Sequence, residues 1–200
     1  HSDNKIITRT SSETDYDEQR PIFNEAVDFC MKRDIFYSRR IGKTPALFYS
    51  VEDSLLDGEQ LTKNPVQQRL INATKISGRN KNGLAIGFLN AVTANTYAIA
   101  KNEQGTERKI LTDPLTNYNL LVFDQALRNN SNFYVTNTNV IRNSKYRDAN
   151  VTATGITLNN KTNTYRIELS GGMSKIFTTS AAPDEKAMQS TGFKYDIGLH

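Results

Sequence analysis

The chain contains no tryptophan, one cysteine and two histidines, and these scarcities exclude several kinds of chemistry. Because Cys30 is alone, an intrachain disulfide is excluded, and so is a metal site built from several thiolates. The two histidines, His1 and His200, stand at the ends of the chain, which leaves little scope for histidine-based catalysis or zinc binding. No catalytic constellation is recognised elsewhere. The chain is therefore expected to use no cofactor and no metal, and a non-enzymatic role is favoured.

The sequence also lacks long apolar runs and a large excess of one charge. No window of 18 consecutive apolar residues exists, so a transmembrane helix is not expected. A membrane-spanning β-strand needs only about 9–11 alternating residues and remains open. The 25 basic and 21 acidic residues are spread along the chain, with a net charge of +4. Nucleic-acid binding needs a clustered basic footprint with interleaved aromatic residues, so no nucleic-acid partner is expected.

What the sequence does contain, from residue 35 onward, is apolar side chains at every second position, which predicts β-strands. Strands are predicted over 71–78 and 84–89, joined through Asn82 and Gly83, a strong hairpin signal. Further strands are predicted over 92–100, 119–127, 132–141, 151–158, 164–175 and 193–199. In 84–89, large residues occupy one face and mostly small residues the other. This is typical of a wall whose inner side is crowded or wet.

The alternation fits two all-β architectures. One is an antiparallel outer-membrane β-barrel, here a partial barrel, with its apolar face toward lipid; the other is a soluble β-sandwich with the same face inside. Several tyrosines lie near predicted strand ends, where interface girdles occur, although tyrosine is also simply a good strand former. They are Tyr37, Tyr97, Tyr118, Tyr134 and Tyr165. Periodicity by itself leaves both architectures open.

A pair of arginines, Arg39 and Arg40, lies within a short aromatic and aliphatic strand pattern. Arginine at the lipid midplane costs about 2–4 kcal/mol, so in a barrel one of the pair would face the lumen. The other would lie at the strand end and reach the interface. The acidic residues Asp15, Asp17 and Glu18 are the predicted partners in this structural charge cluster. They could also supply oxygens to a calcium ion, but a solvated acidic segment is the commoner explanation.

Several stretches resemble the bacterial family known as domain of unknown function 5916. They occur in the order of that family, over 17–25, 35–42, 71–79, 83–93 and 113–118. The element Phe-Tyr-Ser-Arg-Arg-Ile-Gly within 35–42 is the most specific of them. The resemblance implies a large outer-membrane β-barrel of Gram-negative bacteria, preceded in family members by a carbohydrate-binding-like β-sandwich that this chain lacks.

On this resemblance, residues 1–34 are expected to form a polar, acidic lead-in or plug-like segment. Residues 35–200 are expected to form barrel strands and loops, as a fragment of a longer chain. The implied role is structural, transport or assembly, with a link to glycan handling, and the hydrolase label of some members brings no catalytic residues. The implied partners are the lipid bilayer of the outer membrane, other outer-membrane proteins and glycans. The alternative is a soluble, non-catalytic carbohydrate-binding β-sandwich.

Overall fold

The computed structural model describes residues 7–9, 13–15, 41–143, 146–179 and 186–199. In these ranges the chain forms antiparallel strands and one short 3-10 helix, Glu52–Ser54, which confirms the all-β prediction. The strands are β1 Ile7–Arg9, β2 Glu13–Asp15, β3 Gln60–Lys63, β4 Leu70–Arg79, β5 Leu84–Thr93, β6 Thr96–Lys101, β7 Glu107–Asp113, β8 Thr116–Ala126, β9 Asn132–Arg142, β10 Asp148–Asn159, β11 Arg166–Thr179 and β12 Lys186–Leu199. No helix among these residues is long and apolar enough to cross a membrane.

Seven of the strands form one antiparallel sheet in the order β12-β11-β10-β9-β8-β5-β4. Its neighbours follow one another along the chain except β5 and β8, between which the β6–β7 hairpin leaves the sheet. That hairpin pairs with β3 in a three-stranded sheet, and β1 pairs with β2. In the described part, β4 and β12 are the open edges of the large sheet. Its geometry therefore fits either part of a barrel wall or one layer of a sandwich.

Most of the predicted strands are found with bounds shifted by up to four residues, but the strand predicted over 193–199 begins seven residues earlier, at Lys186, and one predicted strand is wrong. A single strand over 92–100 is wrong, because β5 ends at Thr93 and β6 begins at Thr96 in the other sheet. The two residues between them are held in place, since the N–H of Ala94 donates to the carbonyl of Arg69 at 2.8 Å. The short strand β3 and the charge-rich start of β7 have little alternation, and the sequence does not predict them.

The hairpin predicted at Asn82-Gly83 is confirmed, with a loop of residues 80–83. The N–H of Leu84 donates to Oδ1 of Asn80 at 2.9 Å, which closes the loop. Gly83 has a φ of 82°, in the left-handed region that favours glycine. A Cβ at this position would also lie 2.9 Å from the Cβ of Ala126 in β8. Both conformation and space therefore require glycine here.

The described residues form two separate buried clusters. The first lies on one face of the large sheet and consists of Ile41, Leu89, Ala91, Tyr118, Leu120 and Val122. The second lies under the small sheet, where Val51 packs with Ala98, Ala100 and Ile110. The loop before β3 is fixed to this small sheet because Nε of Arg108 donates to Oε1 of Glu59 at 2.8 Å. Each sheet therefore has a core of its own.

Candidate functional site

The two faces of the large sheet differ in the size of their side chains, because successive residues of a strand point to opposite faces. The face that Ile41 covers, here the small-residue face, carries many small and hydroxyl side chains: Ala85, Gly87, Ala91, Thr136, Thr138, Ala153, Gly155 and Thr157. The opposite face, here the apolar face, carries large side chains: Ile86, Phe88, Leu121, Phe123, Phe133, Leu158, Ile167, Leu169, Phe193, Tyr195, Ile197 and Leu199.

The small-residue face is the buried one, even though it carries polar groups. Thr136 and Asp124 are only 2% and 3% exposed. On the apolar face, eight large side chains of β5 and β8 to β11 are 37–42% exposed, and the four of β12 are 69–80% exposed. A water-soluble antiparallel sheet normally has the reverse arrangement, with its apolar face on the core and its polar face in water. Among the described residues, no layer covers the apolar face.

The exposed apolar area is large enough to need an explanation. Eight large residues of β5 and β8 to β11 at about 40% exposure leave about 600 Å² uncovered, taking about 180 Å² for a whole side chain. The four residues of β12 raise this to about 1,000 Å². The largest apolar patch on an ordinary monomer is about 300–600 Å². At about 25 cal/mol per Å², covering the whole face is worth about 25 kcal/mol, which exceeds the stability of a typical domain.

A row of amides crosses the apolar face at one level. Asn90, Asn119, Asn139 and Asn150 lie directly opposite one another on β5, β8, β9 and β10, and we call this row the asparagine ladder. Nδ2 of Asn90 donates to Oδ1 of Asn119 at 2.8 Å. Lys175 continues the row on β11. Asn117 and Asn137 lie on the same face, one step to either side of the ladder, so the amides form a band near this end of the sheet.

The strands are long enough to cross a bilayer. On β11 the residues that point to the apolar face run from Ile167 to Phe177, about 33 Å along the strand at about 3.3 Å per residue. A strand tilted by about 40° needs about 33 Å to cross an apolar band about 25 Å tall. The asparagine ladder and Lys175 lie about 7 Å inside one end of this span. Polar side chains at such a depth can reach the headgroup region.

The small-residue face carries ion pairs along the end of the sheet opposite the β6–β7 hairpin. The carboxylate of Asp124 lies 3.7 Å from the guanidinium of Arg79, and Lys194 lies 3.6 Å from Asp196. Arg166 and Glu168 form a third pair on the neighbouring strand. A face with several charges and buried hydroxyls resembles a barrel interior more than a protein core.

The predicted charge cluster falls almost wholly outside the described residues. Arg39, Arg40, Asp17 and Glu18 are outside the described ranges. Asp15 lies in β2, for which the structure describes only the backbone. The cluster therefore stays a prediction. Within the described ranges, no group of three or more His, Cys, Asp or Glu side chains is arranged to hold a metal ion.

The prediction that tyrosines near strand ends form an interface girdle is wrong for two of the five tyrosines. Tyr118 and Tyr134 are 6% and 5% exposed and lie on the small-residue face, since the strand register places them there. Tyr165 is exposed next to β11, Tyr97 lies in the small sheet, and Tyr37 is outside the described residues. The sequence offers no signal for the asparagine ladder, because its members are 29, 20 and 11 residues apart and meet only through the strand register.

These features define an all-β protein whose main antiparallel sheet buries small, polar and some large apolar side chains on one face and leaves a second set of large apolar side chains uncovered on the other. The chain belongs to the family described as a domain of unknown function (DUF5916), whose model matches residues 1–200. The resemblance seen in the sequence is thereby confirmed. No curated protein and no solved structure matches the chain.

Proposed function

We propose that the large sheet is part of the wall of an outer-membrane β-barrel, with a structural, transport or assembly role. The apolar face then contacts the lipid bilayer, and the small-residue face lines the lumen. One observation carries the proposal: large side chains such as Phe123 are exposed, while hydroxyl and carboxylate groups on the other face, such as Thr136 and Asp124, are buried. Outer-membrane strands alternate in this way, apolar outward and polar inward.

Two further observations support the membrane assignment. The strands of the large sheet are 10 to 14 residues long, and a spanning strand needs about 9–11. In addition, Lys175 shares one height with the asparagine ladder, as expected where hydrocarbon gives way to headgroups. A lysine near the interface costs about 0–1 kcal/mol, far less than one at the midplane.

The open edges of the sheet also fit a second candidate, a soluble, non-catalytic carbohydrate-binding β-sandwich. In that case a second layer would cover the apolar face. The small sheet does not supply this layer, because its core uses Val51, Ala98, Ala100 and Ile110 and none of the apolar face. The two candidates differ in what touches Phe123 and Leu169, which is lipid in the first and protein in the second.

Tryptophan reporters distinguish the two candidates, because the natural chain has no tryptophan. The variants Phe123→Trp and Leu169→Trp place a single indole on the apolar face, and Phe48→Trp places one in the loop before β3 as a control. Each protein is reconstituted in vesicles whose acyl chains carry bromine, which quenches nearby indoles. We expect strong quenching at positions 123 and 169 and little at position 48.

Equal quenching at all three positions, or none at positions 123 and 169, contradicts a lipid-facing sheet. The sandwich candidate predicts a protein that is monodisperse without detergent and does not enter the vesicles. A positive result with neutral lipid establishes the wall and leaves the transported or assembled partner to separate experiments.

A further inference from the structure

The end of the large sheet that lies away from the small sheet is formed by three turns, here called the rim turns: 80–83, 127–131 and 160–165. Hydrogen bonds join them side by side. Nε2 of Gln125 donates to the carbonyl of Asn82 at 2.9 Å, which ties the first turn to β8. Nδ2 of Asn159, the last residue of β10, donates to the carbonyl of Asn130 at 2.7 Å, which ties the second turn to the strand end that leads into the third. The rim turns therefore form one continuous edge.

Each rim turn presents a basic side chain to solvent. Lys81, Arg128 and Lys161 are all exposed, and Arg79 and Arg166 stand at the adjoining strand ends. Residues 79–83, 127–131 and 159–166 contain no aspartate or glutamate. Arg79 and Arg166 have acidic partners, Asp124 and Glu168. For Lys81, Arg128 and Lys161, the described residues provide no carboxylate within 4 Å. The edge therefore carries a positive field that the described residues do not neutralise.

A polar cavity of about 360 Å³ lies between the second and third rim turns. It is lined by Asn130, Asn159, Asn163, Thr164 and Arg166. Asn130 and Asn163 adopt left-handed backbone conformations, with φ of 54° and 53°, so the local shape is specified by both turns. By the strand register, Asn159 and Arg166 belong to the small-residue face, where Arg166 pairs with Glu168, so this cavity opens on the side of the rim away from the apolar face.

The same edge adjoins the last large side chains of the apolar face. Leu158 and Ile167 are paired through the β10–β11 register on either side of the third rim turn, and Phe133 follows the second. Each of these three side chains is about 40% exposed. A ligand held at this edge would have its anionic part on the rim turns and its apolar part on these side chains.

We propose that the rim turns bind the phosphate of anionic lipid headgroups, while the acyl chains of those lipids lie against the apolar face. This inference rests on the proposed membrane-wall function and adds the lipid class to it. Lys81, Arg128 and Lys161 attract the anionic surface and bind the headgroup phosphates. Each basic residue near an anionic surface contributes about a fivefold gain in affinity, so the three together contribute roughly 100-fold at low salt.

The test compares the full chain with two variants of equal charge loss. The rim variant combines Lys81→Gln, Arg128→Gln and Lys161→Gln. The control variant combines Lys63→Gln, Arg69→Gln and Lys109→Gln, which are exposed residues in or next to the small sheet. Uptake into neutral phosphatidylcholine vesicles is measured first. Affinity for phosphatidylglycerol is then measured by titrating it into neutral vesicles, with inorganic phosphate as a soluble competitor.

We expect wild type and control to prefer phosphatidylglycerol, and the rim variant to lose roughly 100-fold of that preference while entering neutral vesicles as wild type does. The inference is overturned if the rim variant keeps the preference, if the control loses it equally, or if wild type has none. Two soluble competitors, millimolar inorganic phosphate and a single-stranded oligonucleotide, are added separately. The inference is also overturned if either of them binds the rim turns tightly enough to remove the preference for phosphatidylglycerol. If wild type enters no vesicle at all, the proposed function fails as well.

Discussion

The contact between Tyr134 and Gly155 provides the sharpest test of the sheet register. These residues lie directly opposite each other on β9 and β10, and Tyr134 is 5% exposed on the small-residue face. A Cβ at position 155 would lie 2.5 Å from Cε1 of the Tyr134 ring and 2.7 Å from its Oη. The ring therefore lies over the glycine backbone, and Gly155→Ala forces it to move by about 1 Å to restore van der Waals contact.

The magnitude follows from two opposed effects. Overpacking of this kind costs about 1–3 kcal/mol. Replacing glycine by alanine within a strand otherwise gains about 0.5–1 kcal/mol through backbone entropy. We therefore expect Gly155→Ala to lower the free energy of unfolding by about 0–2.5 kcal/mol, with a central value of about 1 kcal/mol. In Gly171→Ala, on the next strand, the nearest atom is the carbonyl oxygen of Lys194 at 3.8 Å, so no loss is expected.

Urea unfolding followed by far-ultraviolet circular dichroism measures both variants, in the detergent or buffer that keeps the wild type folded. A shift of the midpoint without a change of slope reports stability alone. In the Tyr134→Leu background the clash with the ring is absent, and Gly155→Ala should be neutral or stabilising by up to about 1 kcal/mol. The register is refuted if the effect of Gly155→Ala is the same in both backgrounds.

Three further predictions concern the apolar face and the small sheet. Phe123→Arg should weaken membrane insertion by about 2–4 kcal/mol, measured as vesicle uptake. The control is Tyr97→Arg in the small sheet, where the tyrosine has the same 40% exposure, and it should not weaken insertion. Equal losses in the two variants would argue against the proposed wall. The Arg108 guanidinium lowers the pKa of Glu59 from its ordinary 4.5 to about 2, so stability present above pH 4.5 should be lost as the pH falls toward 2. In Arg108→Gln, the urea midpoint should change less with pH over that range. A midpoint that changes with pH as steeply as in the wild type would contradict the assignment. Burial raises the pKa of Asp113, so its contribution favours folding in acid and declines as the pH rises through that pKa. Compared with the wild type, Asp113→Asn should therefore be more stable at neutral pH than at acidic pH. A difference in stability between the two proteins that stays constant with pH would be the contrary result.

Much of the fold could be predicted because its signal is local. Alternating side chains over 84–89 and 132–141 specify strands regardless of what surrounds them, and the Asn82-Gly83 pair marks a turn by its backbone preferences. The predicted strand over 92–100 fails for the opposite reason. Its residues continue the alternation, but the break after Thr93 depends on hydrogen bonds to distant residues, such as the one that the N–H of Ala94 donates to the carbonyl of Arg69. Tyr118 and Tyr134 likewise could not be assigned a face from position in the sequence alone.

The sequence by itself determined that this is an all-β chain with one apolar and one small or polar face per strand, because side-chain alternation is a property of each strand. It also carried the family membership. Only the tertiary structure decided which face is buried, since that depends on what packs against the sheet. Only the strand register gathered Asn90, Asn119, Asn139 and Asn150 into one row, and only adjacent turns brought together basic residues that lie far apart along the chain.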